Sequence, residues 1–112
     1  MRRLEMAELI LTQADKGQFF EVQRDDVILI RLPENPTTGY LWAIDEINGA
    51  VLELEDSDFV PASNAGIGGG GERIFRLSAK STGTSHVELK MKREWEADVP
   101  PIERYDFTTW VE

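Results

Sequence analysis

In Ser85-His86-Val87-Glu88-Leu89-Lys90-Met91-Lys92, polar and apolar side chains alternate from His86 onward. Such a pattern belongs to an extended strand with one face in a core and the other in water. The same period recurs along the chain. Tyr105, Phe107, Thr109 and Val111 share one face of the last segment, and Phe75, Leu77 and Ala79 alternate with Arg76, Ser78 and Lys80. Shorter strand signals cover Leu9 to Thr12, Phe19 to Val22, Val27 to Leu32, Tyr40 to Asp45 and Val51 to Glu55. Turn residues part them at Asp15-Lys16-Gly17, Arg24-Asp25-Asp26, Asn48-Gly49 and Ser81-Thr82-Gly83. No window carries the apolar spacing of a three-turn helix. Seven or eight short strands in 112 residues predict an all-β, immunoglobulin-like β-sandwich. A small barrel is the second arrangement.

The length suits one domain over residues 1–112, with residues 1–7 read as a loose N-terminal extension. A net charge of -9 argues against nucleic acid and anionic membrane as partners, since both repel it. The chain has no cysteine, so disulfides, thiolate metal sites and cysteine nucleophiles are excluded. No run approaches the ~20 apolar residues of a membrane-spanning helix. Met1-Arg2-Arg3-Leu4-Glu5-Met6-Ala7-Glu8 lacks the apolar stretch of a signal peptide. The expectation is a cytoplasmic location as the chain stands, with a periplasmic or secreted one open if a leader is removed.

Three connections stand out. Asn35-Pro36-Thr37-Thr38-Gly39-Tyr40 joins two strand signals. Pro36 fixes its own φ and holds Asn35 extended, while Gly39 is free to take a positive φ. The result is a stiff turn presenting hydroxyls, either a plain strand connection or a binding loop. Gly66-Ile67-Gly68-Gly69-Gly70-Gly71 contains G-x-G-x-x-G. A dinucleotide site needs a helix directly after it. The next residues, Glu72-Arg73-Ile74-Phe75-Arg76-Leu77, carry a strand pattern instead. The remaining readings are a floppy connector and a backbone that passes close to another surface. Arg93-Glu94-Trp95 ends the strongest strand. Trp95 either caps the core or, with Arg93, supplies the residue types that dominate binding hot spots.

Catalytic chemistry is missing. His86 is the only histidine and sits on the outward face of a strand pattern. No serine has a nucleophile-elbow context, and with no second histidine the sequence shows no metal-ligand spacing. The acidic run Glu53, Glu55, Asp56, Asp58 reads as a solvated strand edge rather than a calcium loop. Neither an enzyme nor a cofactor is expected.

Taken in order, N-P-T-T-G-Y, a G-x-G-G cluster and R-x-W before the last strand resemble the chagasin-like inhibitors of papain-family cysteine peptidases. The resemblance covers roughly residues 8 to 112. It implies an immunoglobulin-like sandwich whose three loops line up at one end and enter a peptidase cleft as a wedge. On that resemblance Thr37 and Thr38 approach the catalytic side, Gly66 to Gly71 lie over the nucleophile, and Arg93 and Trp95 grip the far rim. The implied interface is Asn35, Pro36, Thr37, Thr38, Gly39, Tyr40, Gly66, Ile67, Gly68, Gly69, Gly70, Gly71, Arg93, Glu94 and Trp95. Two features depart from the family pattern. Five glycines in six residues give the G-x-G-G motif no unique frame, and Glu94 stands where the family usually has proline.

The implied protein is a reversible, non-covalent inhibitor acting as a monomer. Ordering backbone costs about 1–2 kcal/mol per residue, so a six-residue glycine segment that starts fully free costs roughly 6–12 kcal/mol. Nanomolar binding is worth only about 12 kcal/mol. Net affinity is therefore expected from the two stiffer loops. The alternative from another class is a non-catalytic β-sandwich binding or adhesion module for protein or carbohydrate, acting through Trp42, Trp95 and Trp110. Trp42 and Trp110 lie within strand patterns, which predicts core packing for both.

Overall fold

The computed structural model describes residues 7–62 and 69–112. Eight strands run in chain order: β1 (Glu8–Leu11), β2 (Phe19–Val22), β3 (Val27–Glu34), β4 (Tyr40–Glu46), β5 (Leu52–Pro61), β6 (Gly71–Ala79), β7 (Gly83–Arg93) and β8 (Glu103–Val111). They form two four-stranded sheets, ordered β1-β3-β6-β5 and β2-β8-β7-β4. The only helical pieces among the described residues are 3-10 turns at Gln13–Asp15 and Pro36–Thr38. The predicted sandwich is the observed architecture.

Alternation decides which side chains face between the sheets. Val87, Leu89 and Met91 of β7 lie opposite Phe107, Tyr105 and Glu103 of β8. The buried faces of Ile28, Ile30 and Leu32 on β3 and of Phe75 and Leu77 on β6 close the same core. Phe20 meets the Phe107 ring edge-on, with centroids 6.5 Å apart. The Tyr105 hydroxyl sits at the core boundary and donates to the Thr12 carbonyl at 2.8 Å. Burial, with Asp15 and Asp106 nearby, pushes its pKa up to about 12, because the phenolate loses more hydration than the phenol.

The N-terminal segment serves both sheets. β1 pairs in parallel with β3, and β2 pairs in parallel with β8. Ala7 is bonded at the start of β1: its N–H donates to Asp26 Oδ1 at 3.1 Å, and its carbonyl accepts from Val27. Of the expected loose extension, residues 1–6 lie outside the described residues.

Two elements differ from the sequence reading. β5 continues to Pro61, well past Glu55. It lies at the edge of its sheet, and its residues 53–58 are all exposed. Backbone pairing with β6 makes it a strand, so no buried side chains mark its second half. The acidic run does lie on a sheet edge, where charge discourages pairing with another chain. Trp42 is buried as expected, but Trp110 is only half-buried. Its neighbours Thr109 and Val111 take the inward positions on β8, leaving Trp110 on the outer face.

Candidate functional site

The strand order brings three connections to one end of the sandwich. Tyr40 at the start of β4 pairs with Arg93 at the end of β7. Glu34 at the end of β3 pairs with Gly71 at the start of β6, and Gly71 also pairs with Pro61 at the end of β5. The β3–β4, β5–β6 and β7–β8 connections therefore leave adjacent strand ends.

The β3–β4 loop is closed by its own atoms. The Asn35 side-chain oxygen accepts from the Thr37 N–H at 3.2 Å and from the Thr37 hydroxyl at 2.6 Å. The Thr38 hydroxyl donates to the Asn35 carbonyl at 2.8 Å and accepts from the Tyr40 N–H at 3.2 Å. Gly39 ends the turn in the left-handed region, at φ 83°. The sequence reading has both threonine hydroxyls presented outward, whereas both are engaged inside the turn.

The β7–β8 loop leans on this turn. The tip of the Trp95 indole lies against Gly39, where a Cβ would collide with it. Arg93 ties the two loops further: its Nε donates to the Thr38 carbonyl at 3.0 Å, and its guanidinium lies 4.3 Å from the Tyr40 ring centroid. It also lies 5.8 Å from the Trp95 ring. Trp95 is nonetheless 71% exposed, so it does not cap the core. Val99 and Ile102 of the same loop are exposed too. Glu94 points away from this cluster, lining the outer face of β4 and β7 with Leu41, Ala43 and Lys92.

Of the glycine loop, Gly69, Gly70 and Gly71 are described, while Gly66, Ile67 and Gly68 lie outside the described residues. The Ala62 N–H donates to the Gly70 carbonyl at 3.1 Å and closes the loop's base. Gly71 is needed there because a Cβ would run into the Val60 carbonyl and the Phe59 ring. An open cleft of about 510 Å³ lies between Asn35, Thr38, Gly70 and Ile102.

Beneath the loops sits an ion pair that the sequence reading missed. Glu34 is buried, and Arg73 donates to it through Nη2 at 2.8 Å and Nε at 3.1 Å. The second Glu34 oxygen accepts the Trp42 N–H at 2.8 Å. Trp42 Nε1 donates to the Pro33 carbonyl at 2.9 Å. One carboxylate thus joins β3, β4 and β6 where the first two loops begin. Its only sequence trace is a glutamate at a position that alternation assigns to the core.

This Trp42 geometry removes one leg of the adhesion alternative. Trp42 is 5% exposed and bonded inward, so Trp42, Trp95 and Trp110 form no common platform.

A model of the chagasin family of peptidase inhibitors matches residues 21–109. The chain belongs to the chagasin family. Chagasin of Trypanosoma cruzi is 31% identical over 100 residues, which cover 85% of this chain and 90% of that protein. Amoebiasin-2 of Entamoeba histolytica is 28% identical, over 83% of this chain and 76% of its own length. The crystal structure of a cysteine protease inhibitor from Entamoeba histolytica superposes with a TM-score of 0.84 at 25% identity, covering 96% of this chain and 97% of that one. As a chagasin-family member the chain is a peptidase inhibitor and not an enzyme. Among the described residues no helix is long and apolar enough to cross a membrane.

Proposed function

We propose that this chagasin-family chain inhibits papain-like cysteine peptidases reversibly, by setting its three loops into the active-site cleft as one wedge. The observation that carries this reading is the rim made by Gly39, Tyr40, Arg93 and Trp95, which locks two loops together while leaving the indole exposed. A large aromatic side chain held in place but outside the core is preorganised for a partner.

The division of labour rests on residue chemistry. A papain-type cleft cuts extended peptides. A glycine backbone enters it without a side chain to set a cleavable register, yet still offers its N–H and C=O groups. Trp95 supplies apolar contact, and the closed Asn35–Gly39 turn beside it supplies a rigid brace. Inhibition by occlusion needs no covalent step and no cofactor.

The test is a titration of the intact protein into papain with a fluorogenic peptide as substrate. Stoichiometric inhibition, with the added protein recovered uncut, supports the reading. Full peptidase activity at micromolar protein sinks it.

A further inference from the structure

The outer face of the β8–β7–β4 sheet carries a cluster that inhibition does not use. Glu46 of β4 pairs directly with Glu88 of β7, and Glu88 pairs directly with Asp106 of β8. Like charges opposite one another on a sheet repel, and here three carboxylates stand in one row. His86 stands beside them. Its Nε2 lies 3.5 Å from Glu88 Oε1 and 3.7 Å from Asp106 Oδ2. Glu46, His86 and Glu88 each place a donor atom within 4.8 Å of the others.

A backbone irregularity creates the arrangement. The register of β4 against β7 slips between Ile44 and Glu46, so two β4 residues oppose Glu88. Without the bulge Glu46 would share the inward face of Trp42 and Ile44. With it, both carboxylates meet partners on the outer face: Asp45 takes Lys90 at 2.7 Å, and Glu46 joins His86 and Glu88. Lys90 also holds the Asp45 carboxyl below its ordinary range, which marks Asp45 as already paired. Bulges are a recurring device for re-aiming a side chain.

We propose that Glu46, His86 and Glu88 form a zinc site. Ligand atoms about 2.1 Å from a tetrahedral zinc ion stand about 3.4 Å apart. The His86–Glu88 separation, 3.5 Å, is close to that edge. The histidine is also oriented as a ligand should be. Its Nδ1 lies 2.9 Å from the Thr108 hydroxyl, so a proton on Nδ1 leaves the Nε2 lone pair facing the carboxylates. One imidazole with carboxylates suits zinc better than magnesium or calcium, which prefer oxygen alone. An ion here would join β4 to β7 and relieve the repulsion along the row. The site lies about 17 Å from the Tyr40–Arg93 pair at the loop end, counting five residues along β7.

The experiment is calorimetric titration of zinc chloride into the intact protein at neutral pH in a non-coordinating buffer. One ion per chain is expected, with melting raised by about 10 °C at a hundred-fold excess over Kd. H86Q should abolish binding and leave peptidase inhibition unchanged, showing that the variant is folded. T108V should weaken binding about tenfold or more while keeping every ligand. Excess magnesium should not compete. An absence of stoichiometric binding overturns the proposal, and so does zinc binding that survives H86Q or yields to magnesium.

Discussion

The β3–β4 and β7–β8 loops sit side by side but are held in opposite ways. The first is closed by hydrogen bonds among Asn35, Thr37, Thr38 and Tyr40, none of which needs the neighbouring loop. The second keeps its main contact residue, Trp95, against Gly39 and beneath Arg93. One loop carries its own closing bonds, and the other takes its shape from it. A rigid interface therefore does not require two rigid loops. It requires one rigid loop with a smooth face and one side chain long enough to lie on it.

Four substitutions test this asymmetry. The largest expected effect is Trp95→Ala, which should weaken inhibition about 30-fold or more. Its melting temperature should barely move, because the indole is exposed. An inhibition constant within a factor of two of the parent would remove Trp95 from the interface. Gly39→Ala strikes both loops, since its left-handed backbone costs a non-glycine residue about 1–2 kcal/mol and its methyl displaces the indole. Inhibition should fall about tenfold, the loss expected when part of a hot-spot contact is misplaced. In a Trp95→Ala background most of that fall should vanish, and a double-mutant cycle reads the coupling directly. Additive losses would show that the loops do not communicate.

Asn35→Ala should cost about 1 kcal/mol of stability, the typical value of a lost cap. It should speed dissociation from the peptidase and shift the tryptophan emission of the free protein, because the Trp95 indole lies on the turn that Asn35 closes. An unchanged spectrum would reverse the claim that the second loop takes its shape from the first. Thr38→Val is the mildest, with about 0.5–1 kcal/mol expected for the lost hydroxyl bonds, read by chemical denaturation. A larger drop in affinity than in stability would mean that this hydroxyl serves the partner more than the turn.

Much of the sandwich is written in its alternation. The face of Val87, Leu89 and Met91, and that of Tyr105, Phe107, Thr109 and Val111, are the buried faces observed. Where burial fails to mark a strand the reading stops, as at Glu55 in β5, whose second half owes its shape to main-chain pairing with β6. Parallel pairing of β1 and β2 leaves no local trace, because each partner lies elsewhere in the chain. At the loop end, turn chemistry located the stiff loop, since Pro36 and Gly39 act on the backbone nearby. It did not reveal which way the threonine hydroxyls turn, or that Arg93 reaches the Thr38 carbonyl. The hydroxyls turn on local bonds whose direction residue type alone does not set, and the Arg93 contact joins residues far apart in sequence. The Glu34–Arg73 pair and the Glu46–His86–Glu88 cluster stayed hidden for the same reason.

The split N-terminal segment bears on how the molecule assembles. Residues 19–22 pair with residues 108–111, so that ladder forms only after nearly the whole chain has closed into a ring. Closure of so long a ring is entropically expensive, and contacts of this span belong to the slow side of folding. The hairpin of β7 and β8 needs only a short connection. The strand that must pair last thus precedes most of the others in the chain, and its Val22 reaches its buried place only when that ladder forms. Until then the segment is an unmatched strand, open to pairing with another chain.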